Sequence, residues 1–303
     1  MDTSRLDGRT IIVTGASSGI GYFIAEGLAH LGARIIIAAR SAKKAQTAIE
    51  HLPDPSRHHH LELDLSNRES IRLAGTIVGN DGPLDGLIMN AGIIAASPGY
   101  TTGPFGVEST VDVNVLAHME FLRLALPALQ QSQSARVVST GSMLTKTIPF
   151  DIENWLAQNS YRPRVAYAMS KHAAEILGFE LDRRLVASGS RIRSVVTHPG
   201  GAIDALTPDR PPLHQRSLPI RFITPAIAPL FSKLVQGKES AAQPAIAAMA
   251  TPSLPAHPYI GPRRGATGPP VFATPVPSSI DEAAGVRLWA ETEEILINPV
   301  LPS

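Results

Sequence analysis

A chain of 303 residues with a hydrophobic fraction of 44% and a charged fraction of 17% has enough apolar surface to build a sizeable core, which excludes a disordered protein. A formal net charge of +1 offers no field that would gather nucleic acid or an acidic membrane surface, and the absence of cysteine excludes disulfides, thiolate catalysis and cysteine metal sites. The polar opening M-D-T-S-R-L-D-G-R-T runs straight into an apolar strand, leaving no room for a signal peptide, and no apolar run reaches membrane-spanning length, so the expectation is a cytoplasmic chain.

In chain order, an apolar strand beginning at Thr10 enters a turn with glycines at 15, 19 and 21, and a helix follows over Ile20 to Leu31 with Ile20, Ile24, Leu28 and Leu31 on one face. Arg34 to Ala38 reads as a strand apolar on both sides, the pattern of a parallel sheet. Ser41 can cap a helix that runs to about His51. Then come a strand at Leu61 to Leu63, a helix over Ser66 to Val78 and a strand at Leu84 to Met89. A long helix from about Val107 to Gln130, a strand at Arg136 to Ser139, a second long helix over Arg164 to Ala187 and a strand at Arg191 to Thr197 complete the alternation. Strict strand–helix alternation predicts an α/β fold, a doubly wound parallel sheet of the Rossmann kind in a three-layer α/β/α stack.

From Pro199 the composition changes: eighteen of the 26 prolines lie there, and 204–225 and 251–279 are too broken by proline to be long helices. Between and beyond them, 226–236, 239–250 and Asp281 to Ile297 read as helices. Apolar residues interleave the prolines, so the expectation is one domain: a dinucleotide-binding and catalytic core over 1–200, and an ordered extension over 201–303 that covers the carboxyl edge of the sheet as a substrate lid and adds a final helix.

The glycine turn spans T-G-A-S-S-G-I-G at 14–21. A strand that feeds such a turn and a helix N-terminus suits a pyrophosphate, because free backbone amides and the helix dipole meet the anion there. Its G-x-x-x-G-x-G spacing departs from G-x-G-x-x-G, and a tight strand–helix turn without a ligand explains it equally well. Six further motifs follow in order: D-L at 64–65, N-A-G at 90–92, an asparagine at 114, V-V-S-T-G-S at 137–142, Y-A-M-S-K at 167–171 and H-P-G at 198–200. With these motifs in register, the chain resembles the short-chain dehydrogenase/reductase family from residue 5 to about 200. The long Ser142-to-Tyr167 segment and L-D-G-R-T-I-I-V-T-G are most similar to its retinol-dehydrogenase-like members.

The resemblance implies an oxidoreductase that moves a hydride between a nicotinamide cofactor and a carbonyl compound or alcohol. It implies Tyr167 as general acid and base, Lys171 as its partner and as holder of the nicotinamide ribose, Ser142 at the carbonyl oxygen, and Asn114 holding a water in the proton relay. The residues' own chemistry agrees for the pair: Tyr167 and Lys171 are four apart on one helix face, and a nearby ammonium favours a phenolate. Without the other motifs, a helix tyrosine beside a solvated lysine is the simpler reading. Tyr161 has valine where the lysine would stand. Ser139 and Thr140 compete with Ser142 on position alone, and the family register favours Ser142. Asn114 could equally satisfy backbone groups at a helix bend.

For the cofactor, the resemblance implies Gly15, Ser17, Ser18, Gly19, Ile20 and Gly21 at the pyrophosphate, Asn90, Ala91 and Gly92 continuing that wall, Asp64 and Leu65 at the adenine, and Pro199 and Gly200 near the nicotinamide. Where an NAD enzyme carries an acid at the end of the second strand, this chain has Ala39 and then Arg40. That combination suits a 2′-phosphate and predicts NADP, with NAD as the alternative. After Pro199–Gly200 the family commonly places a threonine where this chain has Asp204; either Thr207 substitutes from a shifted loop or cofactor affinity is weakened. His58, His59 and His60 read as a solvated loop rather than a metal site, and no metal is expected. Met143, Phe150, Trp155, Phe222 and Phe231 point to an apolar carbonyl substrate, although they could also be core. Relatives often pair through the two long helices, so a homo-oligomer is an open expectation. The alternative of another class is a catalytically silent NADP-binding regulatory or scaffold protein.

Overall fold

The computed structural model describes residues 1–94, 99–159, 161–214 and 234–301. Residues 226–233 of the expected helix, and with them Phe231 and the separate position Phe222, lie outside the described residues.

The strands are β1 (Thr10–Thr14), β2 (Arg34–Ala39), β3 (His59–Glu62), β4 (Gly86–Met89), β5 (Arg136–Thr140), β6 (Arg193–Thr197), β7 (Tyr259–Pro262) and β8 (Pro270–Phe272). Between them run α1 (Gly19–His30), α2 (Ala42–Glu50), α3 (Arg68–Asn80), α4 (Ser109–Val111), α5 (Ala117–Gln131), α6 (Pro163–Ala187) and α7 (Lys238–Ala250), and α8 (Glu282–Leu296) closes the chain. They form one sheet in the order β3-β2-β1-β4-β5-β6-β7-β8, parallel throughout except for β8, which pairs antiparallel with β7. The strand order reverses between β1 and β4, and the crevice outside their carboxyl ends is where ligands bind in open sheets of this kind.

Alternate residues of each strand feed opposite layers, which is why the middle of β1 (Ile11, Ile12, Val13) and β2 from Ile35 onward are apolar on both faces. Ile12, Ile36, Leu87 and Val137 join a core with Ile71, Phe121, Leu122, Ile176 and Trp289 from α3, α5, α6 and α8. Ile11, Val13, Ile35, Ile88 and Val195 join the other core with Phe23, Ile24 and Leu28 of α1, Ile49 of α2 and Ile246 and Met249 of α7. Helix starts follow local chemistry: the side chains of Ser41, Asn67 and Asp281 accept from the backbone amides of Lys44, Ser70 and Ala284 at 3.3, 3.0 and 2.9 Å. Among the described residues no helix is long and apolar enough to cross a membrane.

The 251–279 stretch forms no long helix, as expected, and contains β7 and β8, whose prolines at 262, 269 and 270 fall at strand ends, where a missing amide costs no central ladder bond. Two expectations need correction. The three histidines are not a solvated loop: β3 begins at His59, and His58 is buried with Nδ1 accepting from the Ile35 amide at 3.0 Å and Nε2 2.7 Å from the Pro53 carbonyl oxygen. The helix expected over 107–130 changes winding between α4 and α5, where Asp112–Leu116 is a π-helical stretch.

Candidate functional site

The site is built first by the end of β1. The Thr14 hydroxyl accepts from the amides of Asn90 and Ala91 at 3.0 Å each, and Asn90 Nδ2 donates to the Thr14 carbonyl at 3.0 Å. These bonds tie the segment after β4 to the glycine turn. Packing then dictates two glycines: a Cβ at Gly15 would lie 3.0 Å from Ala91 Cα, and one at Gly21 would lie 2.6 Å from both the Gly15 carbonyl oxygen and Asn90 Nδ2. Gly19 differs. It has φ +62°, and a Cβ there would meet nothing within 4 Å, so its outer face opens on the crevice.

Ser18 is the N-cap of α1 but its side chain makes no capping bond, so the first amides of a twelve-residue helix are left for another acceptor. Ser17 and Ile20 are half-buried and Ser18 is exposed. An open face, uncapped amides and the positive end of the helix dipole make a cradle that fits a pyrophosphate. Alongside it, Ala39 is buried at the end of β2 and Arg40 projects into solvent. Asp64 follows β3, with Oδ1 accepting from the Ser66 amide and hydroxyl at 2.9 and 2.6 Å, while Leu65 is buried in the core.

The second group comes from β5 and α6. Ser142 lies two residues beyond β5, as the N-cap of the 3-10 turn Met143–Lys146, with Oγ accepting from the Leu144 amide at 3.2 Å. Tyr167 and Lys171 occupy successive turns of α6, and Lys171 Nζ sits 5.9 Å from the Tyr167 ring centroid. Burial raises the Tyr167 phenol above its ordinary value, and the Ser142 side chain pulls it back down. Burial lowers the Lys171 ammonium to about 8, opposed by the charge of Glu175. Lys171 Nζ donates to the Thr140 carbonyl at 2.8 Å.

Asn114 lies in the π-helical stretch. Its Oδ1 accepts from the Ile93 amide at 2.8 Å, and Nδ2 donates to the Ile93 carbonyl at 3.1 Å and to Ser170 Oγ at 2.9 Å. Ser170 in turn donates to the Tyr167 carbonyl at 2.8 Å. The amide therefore fastens the segment after β4 to the helix that carries Tyr167. One turn on, His118 has Nδ1 3.3 Å from the Asn114 carbonyl oxygen and Nε2 3.0 Å from Thr14 Oγ1. Burial, assisted by the Lys171 charge, pushes its pKa down to about 4, so the ring is neutral, and satisfying both partners places its proton on Nδ1. A cavity of about 20 Å³, large enough for one water, is lined by Asn114, His118, Ser139 and Thr140.

Beyond β6, Pro199 accepts from Gln236 Nε2 at 2.8 Å, and Gly200 has φ +72° with the Ala266 carbonyl oxygen against it. Asp204 is exposed and ion-paired with Lys238 Nζ. Thr207 is buried: its hydroxyl donates to the Ile203 carbonyl at 2.9 Å and accepts from the Lys238 amide at 3.0 Å, which caps α7. The negative charge at Asp204 is thus neutralised within the chain, and Thr207 is committed to the helix.

Trp155 is core rather than lining: it is buried, and Nε1 donates to Glu291 of α8 at 2.5 Å. Beside it, Arg287 of α8 donates to Glu153 at 2.5 and 3.0 Å. Phe150 packs on His172 with ring centroids 5.3 Å apart, and Met143 is half-buried. Thr14, His118, Ser170 and Glu175 also belong to the site and are not among the residues expected from the sequence. For His118 and Glu175 the signal was present: each is a polar residue four positions beyond a named site residue, on the same helix face. Among the described residues, no three histidine, aspartate or glutamate side chains are grouped to hold a metal ion.

Comparison with known proteins bears on the family and the fold. The short chain dehydrogenase family profile matches residues 9–208. Human retinol dehydrogenase 13 is 32% identical over 302 residues, covering 97% of this chain and 86% of its own. A crystal structure of an uncharacterised protein from Mycobacterium paratuberculosis is 28% identical with a TM-score of 0.78, covering 99% of this chain and 98% of its own. The NADP active-site complex of RhlG from Pseudomonas aeruginosa is 27% identical with a TM-score of 0.60, covering 83% of this chain and 93% of its own.

Proposed function

The chain belongs to the short-chain dehydrogenase family of oxidoreductases, and on that premise we propose that it interconverts an apolar carbonyl compound and its primary or secondary alcohol with NADP as cofactor. The observation that carries this reading is the meeting of Ser142, Tyr167 and Lys171 at the carboxyl end of the sheet, beside a cradle built for a pyrophosphate. A bound nicotinamide dinucleotide would supply or take up the hydride. The open face of Gly19 would admit its pyrophosphate, while Gly15 and Gly21 let the turn pack against the wall of Asn90, Ala91 and Gly92. Asp64 and Leu65 would border its adenine, and Pro199 and Gly200 would lie toward its nicotinamide. Arg40 would pair with the 2′-phosphate, which the buried, uncharged Ala39 does not repel.

Tyr167 gives its phenolic proton to the carbonyl oxygen in reduction and takes one from the alcohol in oxidation. The Lys171 ammonium stabilises the phenolate left behind, and the Ser142 hydroxyl polarises the same oxygen. Asn114 keeps the helix bearing Tyr167 in register with the wall after β4. Exposed Ile94, Tyr100 and Leu234 stand beyond the carboxyl ends of the strands and support an apolar substrate. The resemblance to a retinol dehydrogenase supports the same class. We place the substrate cover in the 201–303 segment.

The test is to incubate the full chain with NADPH or NADH and a panel of ketones and aldehydes graded in chain length and polarity. Consumption of NADPH that favours the apolar members is the expected result. NADPH binding with no turnover across the panel would reverse the reading in favour of a silent binding protein.

A further inference from the structure

Glu175 lies one helical turn beyond Lys171 on α6 and is fully buried, and none of the steps above uses it. A buried carboxylate is costly to retain where an apolar side chain would fill the space, so its partners matter. They come from stretches far apart in the chain. Oε1 accepts from the backbone amide of Ser142 and from the Thr145 hydroxyl, both at 3.3 Å. Oε2 accepts from the Ser279 hydroxyl at 2.7 Å, across 104 residues of sequence. Space for this is made by Gly141, where any Cβ would stand 2.1 Å from Oε1.

The charged and titratable groups around it complete the picture. Lys171, on the same helix, favours the carboxylate, while burial drives the acid up to about 7. From β7, Tyr259 faces it, and its phenol is raised by burial and by the Glu175 charge. His198 stacks on Tyr259 at 5.4 Å and is kept neutral by burial and by the charge of Lys146. Ser279 itself is buried, in the 3-10 turn Pro277–Ser279 that leads into α8.

We propose that Glu175 is a positioning residue: by joining the Ser142 amide to the Ser279 hydroxyl, it lets the C-terminal third of the chain set where Ser142 stands against Tyr167. The proposal rests on the oxidoreductase reading of Ser142 and Tyr167. The fastening itself is a property of the cofactor-free chain and can be measured without turnover. Ser142 is the member of the group that sits on a short turn rather than on a long helix, so it is the member that needs an outside anchor. Tyr167 and Lys171 stand on the long helix α6, which is tied to β5 through Thr140 and to the segment after β4 through Asn114.

The experiment compares the full chain with its Glu175→Gln, Glu175→Ala and Ser279→Ala variants. Amide hydrogen exchange of the cofactor-free proteins is read over 141–147, with α3 as internal control. Kinetic constants are read with NADPH and the best carbonyl of the panel. Glu175→Ala, which removes three hydrogen bonds, and Ser279→Ala, which removes one, should each speed exchange over 141–147 by about tenfold or more, with α3 unchanged. Glu175→Ala should lower kcat about tenfold while the KM for NADPH stays within about twofold. Glu175→Gln, which keeps an acceptor for the Ser142 amide, should restore protection and most of kcat. Unchanged exchange over 141–147 in Glu175→Ala, or full wild-type behaviour in Ser279→Ala, would overturn the proposal. A wild-type chain without turnover would instead count against the oxidoreductase reading, leaving the exchange result to decide the fastening.

Discussion

Lys171 is anchored on Thr140: its Nζ donates to the carbonyl oxygen of the last residue of β5 at 2.8 Å, and this holds the ammonium 5.9 Å from the Tyr167 ring centroid. A side chain so placed is held beside the phenol, where the proposed mechanism needs its charge. Replacing Tyr167 by Phe should lower kcat by roughly 10²- to 10⁴-fold, the range for a lost general acid, with the dissociation constant for NADPH nearly unchanged. Lys171→Met should match that loss and also weaken NADPH binding. Steady-state kinetics and a fluorescence titration check both.

The pH dependence has a definite sign in each direction. Burial raises the Tyr167 phenol, so the protonated acid persists through neutral pH. Carbonyl reduction should therefore hold its rate through neutral pH and fall only on the alkaline side, whereas alcohol oxidation should climb over the alkaline range as the phenolate forms. Measuring kcat/KM for both directions over one series of buffers checks this; a reduction rate that rises toward alkaline pH would contradict the role given to Tyr167.

Stability should carry its own signature from Glu175. Burial raises this acid from its ordinary value of 4.5 to about 7, so over that interval the folded chain keeps a proton that the unfolded chain has lost. Stability from this group is therefore greatest below that interval and declines as pH rises through it. Glu175→Gln has no such group. The urea midpoint of the wild type should fall relative to that of Glu175→Gln between the acid and neutral ends of the interval, and a parallel pair of curves would refute the shift.

Cofactor choice is predicted at Arg40. Its replacement by Ala should lower the kcat/KM ratio of NADPH over NADH by about tenfold or more, the value of a charge-assisted hydrogen bond to phosphate. Competition between the two cofactors gives the ratio directly.

Gly21→Ala tests the turn. The added methyl would lie 2.6 Å from the Gly15 carbonyl oxygen and Asn90 Nδ2, so either the helix or the wall must shift. NADPH binding should weaken at least about tenfold, and the melting temperature should drop by several degrees, as an overpacked site costs about 1–3 kcal/mol. Calorimetry and a binding titration provide the two readouts.

Much of this molecule is legible in its sequence where the signal is local. The isoleucine runs of β1 and β2, the caps at Ser41 and Asp281 and the four-residue step from Tyr167 to Lys171 each need only a few neighbours to be read. What escaped depends on partners distant in the chain. β7 is a strand because Val196 and Thr197 lie beside it, and four residues ending in proline do not announce that pairing. His58 looks polar and solvated until the Ile35 amide is found on its ring nitrogen. Glu175 has a place in the sequence one turn beyond Lys171, but its partners, the Ser279 hydroxyl and the Ser142 amide, come from distant stretches.

The bonds from Trp155 to Glu291 and from Glu153 to Arg287 have a consequence for how such a protein can diverge. They hang the 152–155 turn on the terminal helix, while Tyr167 and Lys171 hang on the sheet and α6. The outer contour of the crevice can therefore be re-cut by changes 136 residues away in the chain, with the reacting groups left standing where they are.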